Sequence, residues 1–302
     1  MSSWKGKTRG GLLGYKFFIS ILKYSGLSVA YFFLRFVVIY FFLFSPKSFR
    51  FSLFYFNKIL HYNFFNSFIK IYKSYFVFGQ VLLDKIAILA GFKTNFTYDF
   101  DGENHLKKMV TGNTGGLLIS AHVGNFEIAG FLLKRLNTKI NIVMYDAEHT
   151  RIKDLLSNIL NNQNVNIIVI KNDYSHIFEI NKALNNKELV CIHGDRFVQG
   201  SKTLSCDFLG KKALFPTGPF YLSMKFNVPV SFVFAMKDTK SHYHFYATPA
   251  TKYEYPQNLE KRNDVLEKII KQYITELEKI VYKYPEQWFN YYDFWGKDLN
   301  KV

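Results

Sequence analysis

From Gly115 onward the chain alternates short apolar runs with stretches of helical spacing, and that alternation decides its fold class. Gly115 to Ala121 (GGLLISA), Ile140 to Met144, Val165 to Ile170, Leu189 to His193, Val228 to Met236 and Tyr243 to Ala247 read as strands. Phe126 to Leu136, Arg151 to Leu160, His176 to Leu184 and Phe220 to Phe226 read as helices, with Asn125 as the N-cap of the first. Apolar strands joined by helices of this length predict an α/β fold, with a mainly parallel sheet flanked by helices on both faces. A long amphipathic helix over Leu259 to Tyr284 follows, ended by Pro285. Ligands of an open sheet gather at the carboxyl ends of its strands, which brings forward two loops, His122 to Glu127 and His193 to Arg196.

The first third is different. Residues 12 to about 92 read as consecutive helices, broken at Ser45-Pro46 and at His61-Tyr62-Asn63 and closed by Gly91. The chain of 302 residues thus divides into a basic helical region, 1–92, and an α/β domain, 93–302. Its formal net charge is +16, from 39 Lys+Arg against 23 Asp+Glu, and no acidic residue precedes Asp84. Eleven basic residues before that point are interleaved with dense Phe and Tyr. Such a segment suits an anionic membrane surface, where each basic residue contributes roughly 1 kcal/mol. Nucleic acid accepts the same charge, but no nucleic-acid-binding motif accompanies it and the apolar density is too high for a basic arm.

Leu27 to Phe44 (LSVAYFFLRFVVIYFFLF) is the strongest apolar run. It sits at the lower edge of the roughly 20 residues a spanning helix needs. Arg35 lies near its middle, where an arginine costs roughly 2.5 to 3.5 kcal/mol on insertion scales. The run spans with Arg35 snorkelling, lies in the interface, or is a buried core helix. No small-residue cleavage site follows it, and the basic flank before it favours a cytoplasmic N-terminus. Cys191 and Cys206 fit no metal or disulfide framework, so no metal site is expected, and the chemistry belongs on the reducing cytoplasmic side.

The first loop reads Ser120-Ala121-His122-Val123-Gly124-Asn125-Phe126-Glu127. A histidine at a strand end, with a glutamate in the first turn of the next helix, can fold back into a hydrogen-bonded pair. The carboxylate then fixes the imidazole tautomer, and the other ring nitrogen faces a substrate hydroxyl as general base. This is a serine-hydrolase triad without its serine, so the nucleophile comes from the substrate. Gly124 allows close approach to the loop, and the amides of the following helix N-terminus are placed to stabilise an oxyanion. On spacing alone H-x4-E stays ambiguous, because Glu127 also suits the helix dipole and His122 also suits a satisfied loop histidine.

Within A-H-V-G-N-F-E, after an apolar strand, the loop resembles the first motif of the lysophospholipid acyltransferase superfamily. It is most similar to the bacterial lipid A late acyltransferases. Gly194-Asp195-Arg196 resembles their later acidic motif. Phe208-Leu209-Gly210 and Pro216-Thr217-Gly218-Pro219 resemble their F-x-G and small-residue turn, and Val228-Pro229-Val230 the start of their next strand. Tyr284-Pro285-Glu286-Gln287-Trp288 resembles their P-E-Q-aromatic tail. The likeness runs from about residue 15 to 295.

The resemblance implies acyl transfer from an acyl carrier protein or coenzyme A thioester to a lipid hydroxyl or amine. That thioester is a co-substrate, and no cofactor is implied. His122 is then the base and Glu127 its partner, while Gly124, Asn125, Asp195, Arg196, Thr217 and Gly218 line the substrates. The implied location is the cytoplasmic face of a bacterial inner membrane. Two departures concern the acceptor. The family's His-Arg-Arg-like cluster after P-E-Q is here Asn290-Tyr291-Tyr292-Asp293-Phe294-Trp295, and an arginine earlier in the fold is here Asn161-Asn162-Gln163-Asn164. Both remove cations that bind acceptor phosphates, which leaves an aminoacyl lipid, a glycerolipid or a polyene alcohol open beside a lipid A-like acceptor. A non-catalytic lipid-binding protein of the same fold is the competing reading.

Overall fold

In the computed structural model, which describes residues 12–125, 136, 138–145, 165–171, 173–197 and 200–296, the N-terminal third is helical as expected. Helices α1 (Leu12–Tyr24) and α2 (Gly26–Phe44) are separated by a break the sequence did not announce, at Gly26 with φ +79°. Helix α3 (Pro46–Leu53) runs into a π-helical turn, Phe54–Ile59. Helix α4 (Phe64–Leu89) starts on Asn63, whose side chain accepts from the Asn66 N–H at 2.8 Å. Helix α2 packs on α4 at Gly79, where a Cβ would lie 2.5 Å from Leu34 Cδ1. Any larger residue there would force the Leu34 side chain to move.

The main sheet has the order β1-β9-β8-β2-β5-β3-β4. Its strands are β1 (Thr97–Asp101), β2 (Gly116–Ser120), β3 (Ile140–Tyr145), β4 (Val165–Ile170), β5 (Leu189–His193), β8 (Pro229–Lys237) and β9 (His242–Ala247). Pairings are parallel except β8 with β9 and with the short β10 (Thr251–Lys252). The α/β expectation therefore holds. Two features went unread. Edge strand β1 has the modest sequence TYDFD. The hairpin of β6 (Thr203–Phe208) and β7 (Lys211–Pro216) turns on Leu209 and Gly210, both with positive φ, as a tight two-residue hairpin requires.

Successive residues of β2 point to opposite faces, which separates the core into two layers. Leu117 and Ile119 face the cluster that includes α7 (Gly218–Lys225) and α8 (Arg262–Lys283), while Leu118 faces Leu106 and Met109 of α5 (Glu103–Thr111). Helix α6 (Ser175–Asn185) packs beside β4 and β5. The first cluster is continuous from Leu34 and Ile71 of the N-terminal helices to Ile270 and Leu277 of α8. Helix α8 follows the predicted stripe, but Leu259 stands in a separate 3-10 turn (Leu259–Lys261) and is 62% exposed. The helices read over Phe126 to Leu136 and Arg151 to Leu160 lie outside the described residues, apart from Leu136.

Beneath α2 and α4 lies a buried polar group. The Asp84 carboxylate accepts from the Lys237 ammonium and from the hydroxyls of Tyr31 and Tyr243, and none of the four residues is more than 5% exposed. Burial pushes the Asp84 carboxyl up and the Lys237 ammonium down, and their mutual attraction opposes both shifts.

The stripe on α8 yields a direct test of the core. Leu277→Ala is expected to lower stability by about 2–5 kcal/mol, because Leu277 is fully buried. Thr275→Ala, on the exposed side of the same turn, should change it by less than about 0.5 kcal/mol. Urea denaturation of the two variants checks the orientation of the helix.

Candidate active site

Strands β2 and β5 are parallel neighbours with Ser120 opposite His193, so the two loops expected at strand ends leave the sheet side by side. Two residues further along each strand stand His122 and Asp195. The Asp195 carboxylate accepts twice from His122, from the backbone N–H at 2.9 Å and from ring Nδ1 at 2.8 Å. An ionised carboxylate only accepts, so Nδ1 carries the proton and Nε2 the basic lone pair. The Asp195 side chain has no exposure, whereas that of His122 keeps 15%. The imidazole thus keeps some contact with solvent and the carboxylate has none.

Electrostatics keep this pair polarised. Burial by itself raises the Asp195 carboxyl. The His122 imidazole, by charge and by hydrogen bond, then Arg196 and His193, outweigh it and hold the carboxyl well below the usual carboxylate range. The His193 ring lies 4.2 Å from that of His122. Burial first, and His122 second, push the His193 imidazole well below the ordinary histidine range, so it stays neutral near pH 7. Arg196 donates through Nη2 to the Phe289 carbonyl at 2.7 Å, and its guanidinium lies 5.5 Å from the Tyr292 ring centre.

The backbone of the His122 loop is held on every side. Phe289 N–H donates to the His122 carbonyl (3.1 Å), Gly124 N–H to the Gln287 carbonyl (2.9 Å) and Asn125 N–H to the Ala235 carbonyl (2.7 Å). Val123 bridges Trp288. The Gln287 side chain is doubly bonded to the backbone of Lys237, at 2.9 and 2.7 Å. Gly124 has φ +55°, and a Cβ there would lie 2.0 Å from the Ala235 carbonyl oxygen. Its close approach is therefore to β8. The amides of Gly124 and Asn125 are committed to protein carbonyls, and the helix N-terminal amides expected as oxyanion donors, from Phe126 onward, lie outside the described residues.

The residues singled out in the sequence are gathered unevenly. His122, Gly124, Asn125, Asp195 and Arg196 converge. Asn125 is buried, and its amide donates to Tyr243 Oη (3.2 Å) and the Val81 carbonyl (3.4 Å). Thr217 donates through its amide and hydroxyl to the Lys202 carbonyl, beside Gly218 at the start of α7. That helix reaches the loop through Phe220, which packs against Gly194. Glu127 lies outside the described residues, as does the Asn161–Asn164 segment. Four participants were given no role from the sequence: His193, although it opens the second candidate loop, Gln287, Phe289, and Tyr273, whose hydroxyl donates to the Ser120 carbonyl at 2.9 Å. The P-E-Q tail was the one signal pointing toward two of them.

On the α5 face of the sheet a cavity opens beside Ser120 and His193. Apolar side chains dominate its wall, among them Leu106, Ile142, Val143, Val233 and Phe245. Cys191 also lines it, and burial pushes that thiol up to about 12. The arrangement offers a solvent-touching base, a buried carboxylate behind it and an apolar slot alongside, with no ionised thiol.

The model of the family described as bacterial lipid A biosynthesis acyltransferase matches residues 71–295. Among curated proteins none matches the sequence. Among solved structures, the chain is similar to the 1-acyl-sn-glycerophosphate (LPA) acyltransferase PlsC from Thermotoga maritima. Identity is 13%, the match covers 81% of this chain and 97% of that one, and the TM-score is 0.35.

The depressed His193 sets a sign for pH dependence. The unfolded chain takes up a proton on this ring below about pH 6.5, while the folded site refuses it. Its stabilising contribution is complete above that pH and is lost as pH falls. Between pH 7.5 and 5.5 the wild type should lose more unfolding free energy than His193→Gln. Equal losses in urea titrations would remove the assignment.

Proposed function

Because the chain belongs to the family of bacterial lipid A biosynthesis acyltransferases, we propose that it moves a fatty acyl group from a thioester donor to the hydroxyl or amine of a membrane lipid, with His122 as general base. The observation carrying this reading is the His122–Asp195 pair, which makes Nδ1 the donor and leaves the acceptor lone pair on Nε2. The acceptor X–H gives its proton to Nε2 as X bonds to the thioester carbonyl carbon. The tetrahedral intermediate then collapses, the C–S bond breaks, and the imidazolium returns the proton to the departing thiolate. Asp195 stabilises the imidazolium between these steps. Glu127, paired with His122 by the family motif, is assigned as a further carboxylate partner that orients the imidazole. Arg196 is assigned, with Asp195, to shaping the acceptor or the pantetheine end of the donor.

The apolar slot beside Ser120 and His193 suits the acyl chain, whose burial contributes roughly 0.8 kcal/mol per CH₂. The donor is an acyl carrier protein or coenzyme A thioester, and the positive surface attracts either. The acceptor is a lipid A-like or other membrane lipid. Asn290, Tyr291 and Tyr292 stand where the family's cations bind phosphate, which favours a less phosphorylated headgroup.

The site belongs on the cytoplasmic face of the inner membrane, with α2 in the interface. Phe32, Phe36, Tyr40, Leu43 and Phe44 of this helix are exposed, while Tyr31, Leu34 and Val38 are buried against the protein. A helix seated on its own domain along one side offers the bilayer only the other. Anionic lipid is the occupant that fits both the exposed aromatics and the acid-free basic sequence around them.

His122→Ala should lower acyl transfer by about 10²- to 10⁴-fold and leave the fold intact. Labelled acyl thioester incubated with the protein alone should leave no covalent label after denaturation, since attack is direct. Wild-type turnover in the variant would refute the base; label on Cys191 or a serine, discharged by acceptor, would refute direct transfer.

The membrane reading has its own measurement. Phe36→Glu with Tyr40→Glu should weaken binding to phosphatidylglycerol-containing vesicles by about tenfold or more without altering the circular dichroism. Undiminished binding in a sedimentation assay would move the contact surface elsewhere.

A further inference from the structure

The Asp84 cluster joins three parts of the chain that are distant in sequence. Tyr31 comes from α2, Asp84 from α4, and Lys237 and Tyr243 from neighbouring strands of the sheet. Lys237 Nζ donates to Asp84, to Tyr31 Oη at 3.2 Å and to the Lys240 carbonyl at 2.9 Å. Its ammonium also lies 4.7 Å from the Tyr243 ring centre and 5.3 Å from that of Phe96. Every strong donor in the cluster converges on one carboxylate. Such a group is expensive to bury, and replacement of a buried pair by apolar residues is often neutral or stabilising. Stability alone is therefore a weak reason for the cluster, so its connections carry more weight.

Two of those connections end at the His122 loop. Tyr243 Oη, which donates to Asp84, accepts from the Asn125 side-chain amide at 3.2 Å. The backbone of Lys237 is bonded at both its N–H and its carbonyl by Gln287, whose own carbonyl takes the Gly124 N–H. The loop's residues 124 and 125 are thus tied by two separate routes to the carboxylate that also receives the Tyr31 hydroxyl. Tyr31 is on the buried side of the same helix whose other side exposes Phe32, Phe36 and Tyr40.

We propose that the Asp84–Lys237–Tyr31–Tyr243 cluster is a positioning device that makes the geometry of the His122 loop depend on the seating of the apolar helix α2. Tyr31, Asp84 and Tyr243 are then positioning residues for the reaction, acting through Asn125, and contact no substrate. The inference rests on the proposed transfer reaction for its consequence in turnover, while the mechanical link stands without it. A helix in contact with lipid is in this way coupled to the base: displacing α2 withdraws one donor from Asp84 and loosens the tyrosine that holds Asn125.

Hydrogen exchange on the full chain tests the link. Tyr31→Phe removes one oxygen, about 50 residues in sequence from Asp84 and further from the loop. It should speed exchange in the peptide covering 120–125 by about tenfold, while the peptide covering 269–281 in α8 keeps its protection. Tyr243→Phe, which breaks the route one bond closer, should do the same. Ile71→Val, a buried change in α4 outside the cluster, serves as the destabilised control and should not single out 120–125. Unchanged exchange at 120–125 in both tyrosine variants, or the same selective increase in Ile71→Val, would overturn the proposal. Turnover of an acyl carrier protein dodecanoyl thioester with extracted bacterial polar lipids provides the second readout. There Tyr31→Phe should lower kcat with the donor KM unchanged, and its effect should not add to that of Asn125→Ala. Additive effects would overturn it as well. An inactive wild type would refute the transfer reading and leave the exchange result to decide the link.

Discussion

A fully buried carboxylate that accepts from both the backbone and the ring of one histidine organises this molecule. Asp195 is held there because β2 and β5 run parallel and in register, so the residues two beyond each strand end arrive together. With the carboxylate ionised, the imidazole has one tautomer and one direction to face. The neighbouring His193, the Arg196 guanidinium and the Tyr292 ring are arranged around that pair, and the apolar slot opens beside it. Replacing the carboxylate by a neutral group would remove the charge that fixes the tautomer of the ring.

The surrounding architecture serves to hold the loop without obstructing the histidine. Backbone bonds from residues 287–289 and from Ala235 take up the groups of a segment that has no ladder of its own. Unpaired, these buried groups would each cost about 1–3 kcal/mol. Held in this way, the loop is fixed on its inner side, while the His122 side chain keeps part of its exposure. The aromatic tail fixes the clamp in turn: Trp288, Phe294 and Trp295 pack around Phe208 of the β6–β7 hairpin, with centroid distances of 5.4 to 6.2 Å. Aromatic packing therefore substitutes for regular secondary structure in the last described stretch of the chain.

The N-terminal helices enter the same network. Helix α2 has the composition of a membrane segment, yet Tyr31 and Leu34 are engaged with Asp84 and Gly79 of α4. A helix so engaged leaves only its other side exposed. The N-terminal helices and the α/β domain consequently share one hydrophobic cluster and one buried ion pair, which gives the proposed coupling between α2 and the His122 loop its physical path.

Sequence by itself determined the layers: mainly apolar strand runs of five to nine residues, the period of α8 and the acid-free N-terminus are local patterns, and local patterns are read from neighbours in the chain. It also located both loops at strand ends and His122 within one of them. Asp195 as a partner of His122 was decided by tertiary structure. H-x4-E points to Glu127, five residues away and outside the described residues, whereas Asp195 reaches the ring across 73 residues through the register of two strands. The clamp by Gln287, the role of Gly124 against β8 and the meeting of Tyr31 with Lys237 are of the same kind. A hydrogen bond depends on distance in space, and only the closed sheet with its helices in place brings such residues within 3 Å of one another.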